Sequence, residues 1–256
     1  MNASLTTPAP AGELHYVLAT PAEVGRVVDG LGGYDALLGP EAQRAGQLRN
    51  KDDAQALLAS RALVRLLVAH LRFADAGHAD RVQITRTCLD CGPGDHGKPE
   101  TDGYAISLSR TRELVGAAFG PRGITLGLDV ERGEQPEHPG VFAGFDQQVL
   151  SPAERDLVAR HPFPDRTRLA LWSAKEALLK ATGNGLRIEP ASLPVLSRTG
   201  GQADPDGQWH ALDMPGGLSP QRLFLCWIHA GETHLASLAS SAPLPASAIA
   251  LQDLLT

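Results

Sequence analysis

The stretch Arg168–Arg187, RLALWSAKEALLKATGNGLR, constrains this chain more than any other. Leu171, Trp172, Ala174, Leu178, Leu179 and Ala181 recur at helical spacing, and Ala, Leu, Lys and Glu are strong helix formers. Gly183 and Gly185 then supply a C-terminal stop. Steps of four place Trp172, Glu176 and Lys180 on one face. Taken alone, the pattern reads equally well as an exposed Glu–Lys pair or as a functional face.

A second stretch, Thr125–Glu131 (TLGLDVE), alternates as a short strand. Asp129 and Glu131 are two apart, so both carboxylates point to one face of that strand. Leu126, Leu128 and Val130 suit burial of its other face. Two like charges side by side repel unless a cation or a basic group lies between them. With Glu176 as a third carboxylate, the set suits a hard cation such as Mg2+, whose sites combine few protein carboxylates with water and phosphate oxygens.

In this order and at this spacing, GLDVE and WSAKEALLKATGNGL resemble the motifs of the surfactin-type 4'-phosphopantetheinyl transferases, G-[IV]-D-[IV]-E and W-x-x-K-E-[AS]-x-x-K-x-x-G-x-G. The resemblance extends over about residues 14–240 and implies an α+β fold. In it, two similar α/β subdomains, 1–122 and 123–240, are related by a pseudo-twofold with the active site at their interface. Residues 241–256 follow as a loose extension. The activity implied is transfer of the 4'-phosphopantetheine arm of coenzyme A to a serine of an apo acyl- or peptidyl-carrier protein, releasing 3',5'-ADP. The implied metal is Mg2+, with Mn2+ as a substitute, on Asp129, Glu131 and Glu176. Glu176 and Lys180 are the implied catalytic pair, and Glu176 beside two lysines is expected to stay ionised.

The same resemblance marks candidate coenzyme A contacts. Gly39–Leu71 reads as strongly helical, with Leu48, Ala54, Leu57, Leu58, Ala62, Leu66 and Val68 on one side. Its basic residues Arg44, Arg49, Lys51, Arg61 and Arg65 read as a solvated face. The family uses this segment to reach the 3'-phosphate, and Arg44, Arg49 and Lys51 are the candidates. Gln55 and Ala56 depart from the family, standing where relatives often carry a basic residue.

Cys88–Pro99, CLDCGPGDHGKP, is a polar, glycine-bearing loop. Its Cys-x-x-Cys, with His96 as a third donor, would suit zinc. A structural zinc site wants four ligands, however, and no second pair is visible. The favoured reading is the family's G-[KR]-P element, in which Lys98 and Pro99 contact the nucleotide. Tyr104–Phe119 reads as two strands around a polar turn. Relatives carry S-x-S-H-[ST] there; this chain has Ser109, Arg110 and Thr111, so Arg110 replaces the histidine. It either grips phosphate bidentately or is a solvent-facing turn residue. Lys175 and Lys180 complete the phosphate set. The chain has four lysines, Lys51, Lys98, Lys175 and Lys180, and each falls in one of these segments.

Composition narrows the rest. At 256 residues with 43% hydrophobic content, a sizeable core is expected. A formal net charge of -6 argues against nucleic acid and anionic membranes. No apolar run approaches the roughly 20 residues that span a bilayer. Three cysteines, and an N-terminus without a basic or apolar region, predict a cytoplasmic protein without a signal peptide. A chain carrying both halves of a site is expected to be a monomer. Ser151, Pro152 and Glu154 predict a capped helix start. Strands are expected over Gln208–Leu212, Arg222–His229 and His234–Ala239. The rival functions are a Mg2+-dependent pyrophosphate hydrolase and a non-catalytic carrier-binding module. The carrier and pathway, including secondary metabolite biosynthesis, are not encoded in these motifs.

Overall fold

The computed structural model describes residues 12–94, 96–133, 141–193, 195, 207–216, 218 and 220–255. Within Gly133–Gly144, a proline- and glycine-bearing stretch that reads from sequence as a loop, positions 134–140 lie outside them. The fold is α+β, with one seven-stranded and one four-stranded sheet among the described residues. The chain forms two compact units. One comprises the chain up to Thr87, Cys91–Ile124 and Leu244–Thr256; the other comprises Cys88–Asp90 and Thr125–Pro243.

In the first unit β1 (Leu14–Ala19) leads into α1 (Pro21–Gly30), α2 (Tyr34–Leu38) and a 3-10 segment, Gly39–Gln47. The long helix α3 (Lys51–Phe73) follows, then β2 (Thr85–Cys88), β3 (Gly92–Gly94), β4 (Lys98–Thr101), β5 (Tyr104–Arg110) and β6 (Val115–Arg122). The single helix expected from Gly39 onwards is therefore two segments. Asn50 separates them: its side chain accepts from the N–H groups of Asp52 and Asp53, so α3 begins afresh there. Leu48, expected on the apolar side, is 40% exposed in this break.

By length and composition α3 would pass for a membrane-spanning helix, which the sequence reading did not anticipate. Yet 67% of that window is buried. It is a core helix, packing Ala59, Leu63, Leu66 and Leu67 against Val17, Ile106, Ala117 and Phe119 of the sheet.

The end of the chain is not a loose extension. β11 (Ala246–Ala248) pairs in parallel with β1, and the 3-10 segment Leu251–Leu255 buries Leu254. Backbone pairing plus one buried leucine holds this segment against the sheet.

The second unit contains β7 (Leu126–Arg132), α4 (Phe145–Val149), α5 (Pro152–Arg160), α6 (Pro164–Thr182), β8 (His210–Asp213), β9 (Arg222–Ile228) and β10 (His234–Ser240). Its sheet runs β7-β10-β9-β8, antiparallel throughout. α6 starts one turn earlier than Arg168, at Pro164, and ends on Gly183 at φ 76°. Its apolar side packs with Trp227, Leu223 and Leu225 of β9 and Leu235 and Ala239 of β10. The Trp227 indole also donates to the Ala170 carbonyl at 3.1 Å.

Candidate active site

β7 and α6 approach unusually closely, and one glycine permits it. A Cβ on Gly127 would lie 1.9 Å from the Ala177 carbonyl oxygen and 2.7 Å from the Ala181 nitrogen. Gly127, Asp129 and Glu131 alternate onto the same face of β7, so the face that touches α6 carries both carboxylates. Ser173 on the helix donates to the Asp129 carbonyl oxygen at 3.4 Å and to Ser237 Oγ at 3.1 Å. Ser237 stands directly opposite Asp129 in the sheet.

Between Leu169 and Ala181, α6 is buried except at Trp172, Glu176 and Lys180. These residues, four apart, form the one accessible stripe of that stretch. Lys180 donates to Asp129 Oδ1 at 2.6 Å and to the Leu128 carbonyl oxygen at 3.2 Å. Burial, and next the neighbouring Asp129 charge, push the Glu131 carboxyl up to about 8; Glu176 adds to the rise, while Lys180 and a hydrogen bond from Trp172 oppose it. Burial and Asp129 likewise raise Glu176 against the pull of Lys180. Asp129, Glu131, Glu176 and Lys180 are thus one electrostatic cluster of three carboxylates and one ammonium.

That donor set fits a divalent hard cation. Once all are ionised, three carboxylates exceed the single lysine by two negative charges, and all the donors are oxygen. The carboxylates do not form a closed ligand shell around a point: the trio of ligand-type side chains within 4.8 Å of one another among the described residues is Cys88, Cys91 and His96.

Lys175 departs from the sequence reading. It is fully buried and donates to Glu154 Oε2 at 2.7 Å and to the Val149 carbonyl oxygen at 2.6 Å. It neither presents charge to a phosphate nor sits on the Trp172–Glu176–Lys180 stripe. Helix geometry is the reason: Lys175 is four residues from Leu171 and from Leu179, on the apolar side. Glu176 therefore has one lysine acting on it, Lys180, and its carboxyl is pushed towards the protonated form rather than held ionised.

The first unit carries a separate basic cluster. Glu41 accepts from Arg61 at 2.8 Å and from Arg65 at 2.7 Å, and Arg86 of β2 lies 3.8 Å away. Burial would raise the Glu41 carboxyl, but Arg65, Arg86 and Arg61 outweigh it and hold it low. Arg44 and Arg110 act on Arg61 as well, so five guanidiniums make up this cluster, three of them acting on Glu41 itself. Of the sequence candidates, Arg44 and Arg110 belong to this group. Arg49 and Lys51 are exposed at the approach to α3 and are not among the charges acting on Glu41, Arg61 or Arg86.

Arg61 and Arg65 read from sequence as part of a solvated face, and Arg86 carries no sequence signal; the structure pairs all three with Glu41. Arg61 and Arg65 are four apart, which did place them on one helix face, but their partner Glu41 lies 20 and 24 residues away.

Sheet register divides the remaining candidates. Pro99 stands opposite Arg86, and Lys98 opposite Thr87. Directly opposite residues share a face, so Arg86, Ile106 and Arg110 point towards α3, while Lys98, Ser107 and Ser109 point the other way. Lys98 is half-buried and its ammonium is lowered by desolvation, with Glu100 opposing. Ser109 is buried.

No curated protein matches the chain. The segment that holds β7, α6 and the carboxylate cluster does match a family: residues 125–221 are similar to the 4'-phosphopantetheinyl transferase superfamily.

Proposed function

We propose that this chain transfers the 4'-phosphopantetheine arm of coenzyme A to a serine of an apo acyl- or peptidyl-carrier protein, as the surfactin-type members of the superfamily do. One observation carries the reading. Gly127 lets the GLDVE strand lie against the WSAKEALLK helix, so Asp129, Glu131, Glu176 and Lys180 share one patch inside the matching segment.

Asp129, Glu131 and Glu176 would hold Mg2+, which supplies charge neutralisation at the pyrophosphate. The chain's own groups do the rest. The carrier serine oxygen attacks the β-phosphorus of coenzyme A and a new P–O bond forms. The bond from that phosphorus to the bridging oxygen breaks, and 3',5'-ADP leaves with the electron pair. Glu176, made more basic by burial, accepts the serine proton. Lys180, once released from Asp129, offers its ammonium to the phosphate oxygens. Arg44, Arg61, Arg65, Arg86 and Arg110 carry net positive charge and suit phosphate groups of coenzyme A, since guanidinium forks match phosphate oxygens. Catalysis of this type rests on positioning and charge stabilisation. A reaction among cytoplasmic small molecules and carrier domains, by a monomer, completes the proposal.

Intact-mass spectrometry of an apo-carrier panel incubated with the protein, coenzyme A and Mg2+ tests it. The expected result is a carrier heavier by one phosphopantetheine arm, and none when its serine is replaced by alanine. Coenzyme A cleavage without any carrier gain would point to the hydrolase. Carrier binding without a mass change would leave a binding module.

A further inference from the structure

The hairpin ahead of β4 holds a second constellation with different chemistry. Cys88 closes β2, Cys91 lies in the turn, and His96 follows β3. Ligand atoms of the three lie within 4.8 Å of one another. The sequence reading set zinc aside for want of a second cysteine pair. The structure adds no fourth protein ligand among the described residues, but the backbone turn brings His96 back to the two thiols, so three ligands are assembled at one point. Two glycines make the turn possible: Gly92 at φ 78° and Gly97 at φ 101° occupy the left-handed region, which a side chain resists. The three ligands fall within nine positions of sequence, so the site is local to one stretch of chain.

We propose that Cys88, Cys91 and His96 bind a zinc ion. Two thiolates and an imidazole are soft to borderline donors and select zinc over Mg2+ or Ca2+, which prefer oxygen. Three protein ligands leave the fourth tetrahedral position to water or an exogenous donor. Cys91 and His96 are exposed and Cys88 partly so, which leaves the ion an entry path. Neither cysteine joins a disulfide. The site would be independent of the carboxylate patch in donor type. Its role would be to pin the β2–β4 connection, whose far end carries Lys98 and Pro99. Binding releases the thiol protons to solvent, so occupancy should rise with pH.

Metal analysis of the full-length protein, expressed with zinc and desalted without chelator, tests this. The expected result is one zinc per chain in the wild type and in Cys226→Ala, whose thiol is buried in β9. Cys88→Ser and Cys91→Ser should carry no zinc above buffer. His96→Asn should surrender its zinc to a chromophoric chelator at least about tenfold more readily, since even outer-shell changes cost that much. Cobalt provides a check on wild type alone, should the cysteine variants not fold. Thiolate ligation gives Co2+ an intense sulfur-to-metal charge-transfer absorption. Wild-type protein lacking both zinc and this absorption would overturn the proposal. So would equal zinc in wild type and Cys88→Ser/Cys91→Ser, or anaerobic, zinc-replete protein recovered with Cys88 and Cys91 joined as a disulfide. None of these readouts depends on carrier modification, so this proposal and the transferase reading stand or fall separately.

Discussion

Lys175 Nζ and Glu154 Oε2 lie 2.7 Å apart, and neither side chain is exposed. The same Glu154 oxygen accepts the Ser151 N–H at 2.9 Å, closing the capping box at the start of α5. One carboxylate therefore caps α5 and neutralises a charge projecting from α6. Lys175→Met leaves that carboxylate buried without its counter-ion. The expected loss is about 3–5 kcal/mol of stability, the range for breaking a buried pair from one side. Where the variant is folded, coenzyme A affinity should be unchanged. Denaturant melts and titration calorimetry measure the two quantities. Weakened coenzyme A binding with full stability would return Lys175 to the phosphate ligands.

Gly127→Ala inserts a methyl group where backbone atoms of α6 already stand. Strand and helix must separate, and overpacking of this kind costs about 1–3 kcal/mol or more. Turnover should fall further than stability predicts, because Asp129 and Glu131 ride on the displaced strand. Comparison of kcat with the melting temperature checks this. Wild-type kcat in a stable Gly127→Ala protein would show that the close approach is unimportant.

Glu131 makes the metal-free protein sensitive to pH. Its carboxyl is raised from 4.5 to about 8 on folding. Between those values the folded protein keeps a proton that the unfolded chain has released. Stability therefore declines as pH rises through that window. Glu176, also raised, acts in the same direction. Melting temperatures of chelator-treated protein from pH 5 to 8 should fall, and Glu131→Gln should fall less. Mg2+, which binds the ionised carboxylates of the folded state, should restore most of the loss at pH 8. Parallel curves for wild type and Glu131→Gln would refute this account.

Arg110 ends β5 on the α3 side of the sheet, near Arg61 and Asp53. Asp53 is already gripped by Arg112 through two hydrogen bonds, at 2.7 and 3.1 Å. Arg110→Ala should therefore cost little stability but about 1–3 kcal/mol of coenzyme A binding, as expected for a hydrogen bond to a charged group. Arg110→Lys should recover part of it. Arg110→His should bind progressively less as pH rises through about 6.5, where wild type stays flat. Calorimetry at two pH values decides. Four equal affinities would make Arg110 a turn residue.

Local pattern made much of this molecule readable. Ser151 caps α5 and Gly183 ends α6, as their local signals predict. The carboxylate face was readable because periods of two and four act within single elements. What escaped was set by distant partners. The Glu41 cluster draws on residues of a 3-10 segment, a helix and a strand, and its arginines look solvated until Glu41 is placed beside them. Lys175 was misread through motif membership, although its spacing from Leu171 and Leu179 already put it on the apolar side. The thiol–imidazole trio depends on β3, a three-residue strand of Gly, Pro and Gly that no propensity signals.

The parallel pairing of β11 with β1 has a consequence for biosynthesis. Leu14, His15 and Tyr16 leave the ribosome long before their partners Ala246, Ser247 and Ala248. Every residue of the four-stranded sheet emerges in between. The unit that begins first must therefore wait with an open edge at β1 while the later one is made. A nascent chain stalled before Ala246 would display that edge, and a trigger for chaperone capture or edge-to-edge association would persist until Ala246–Ala248 have been made.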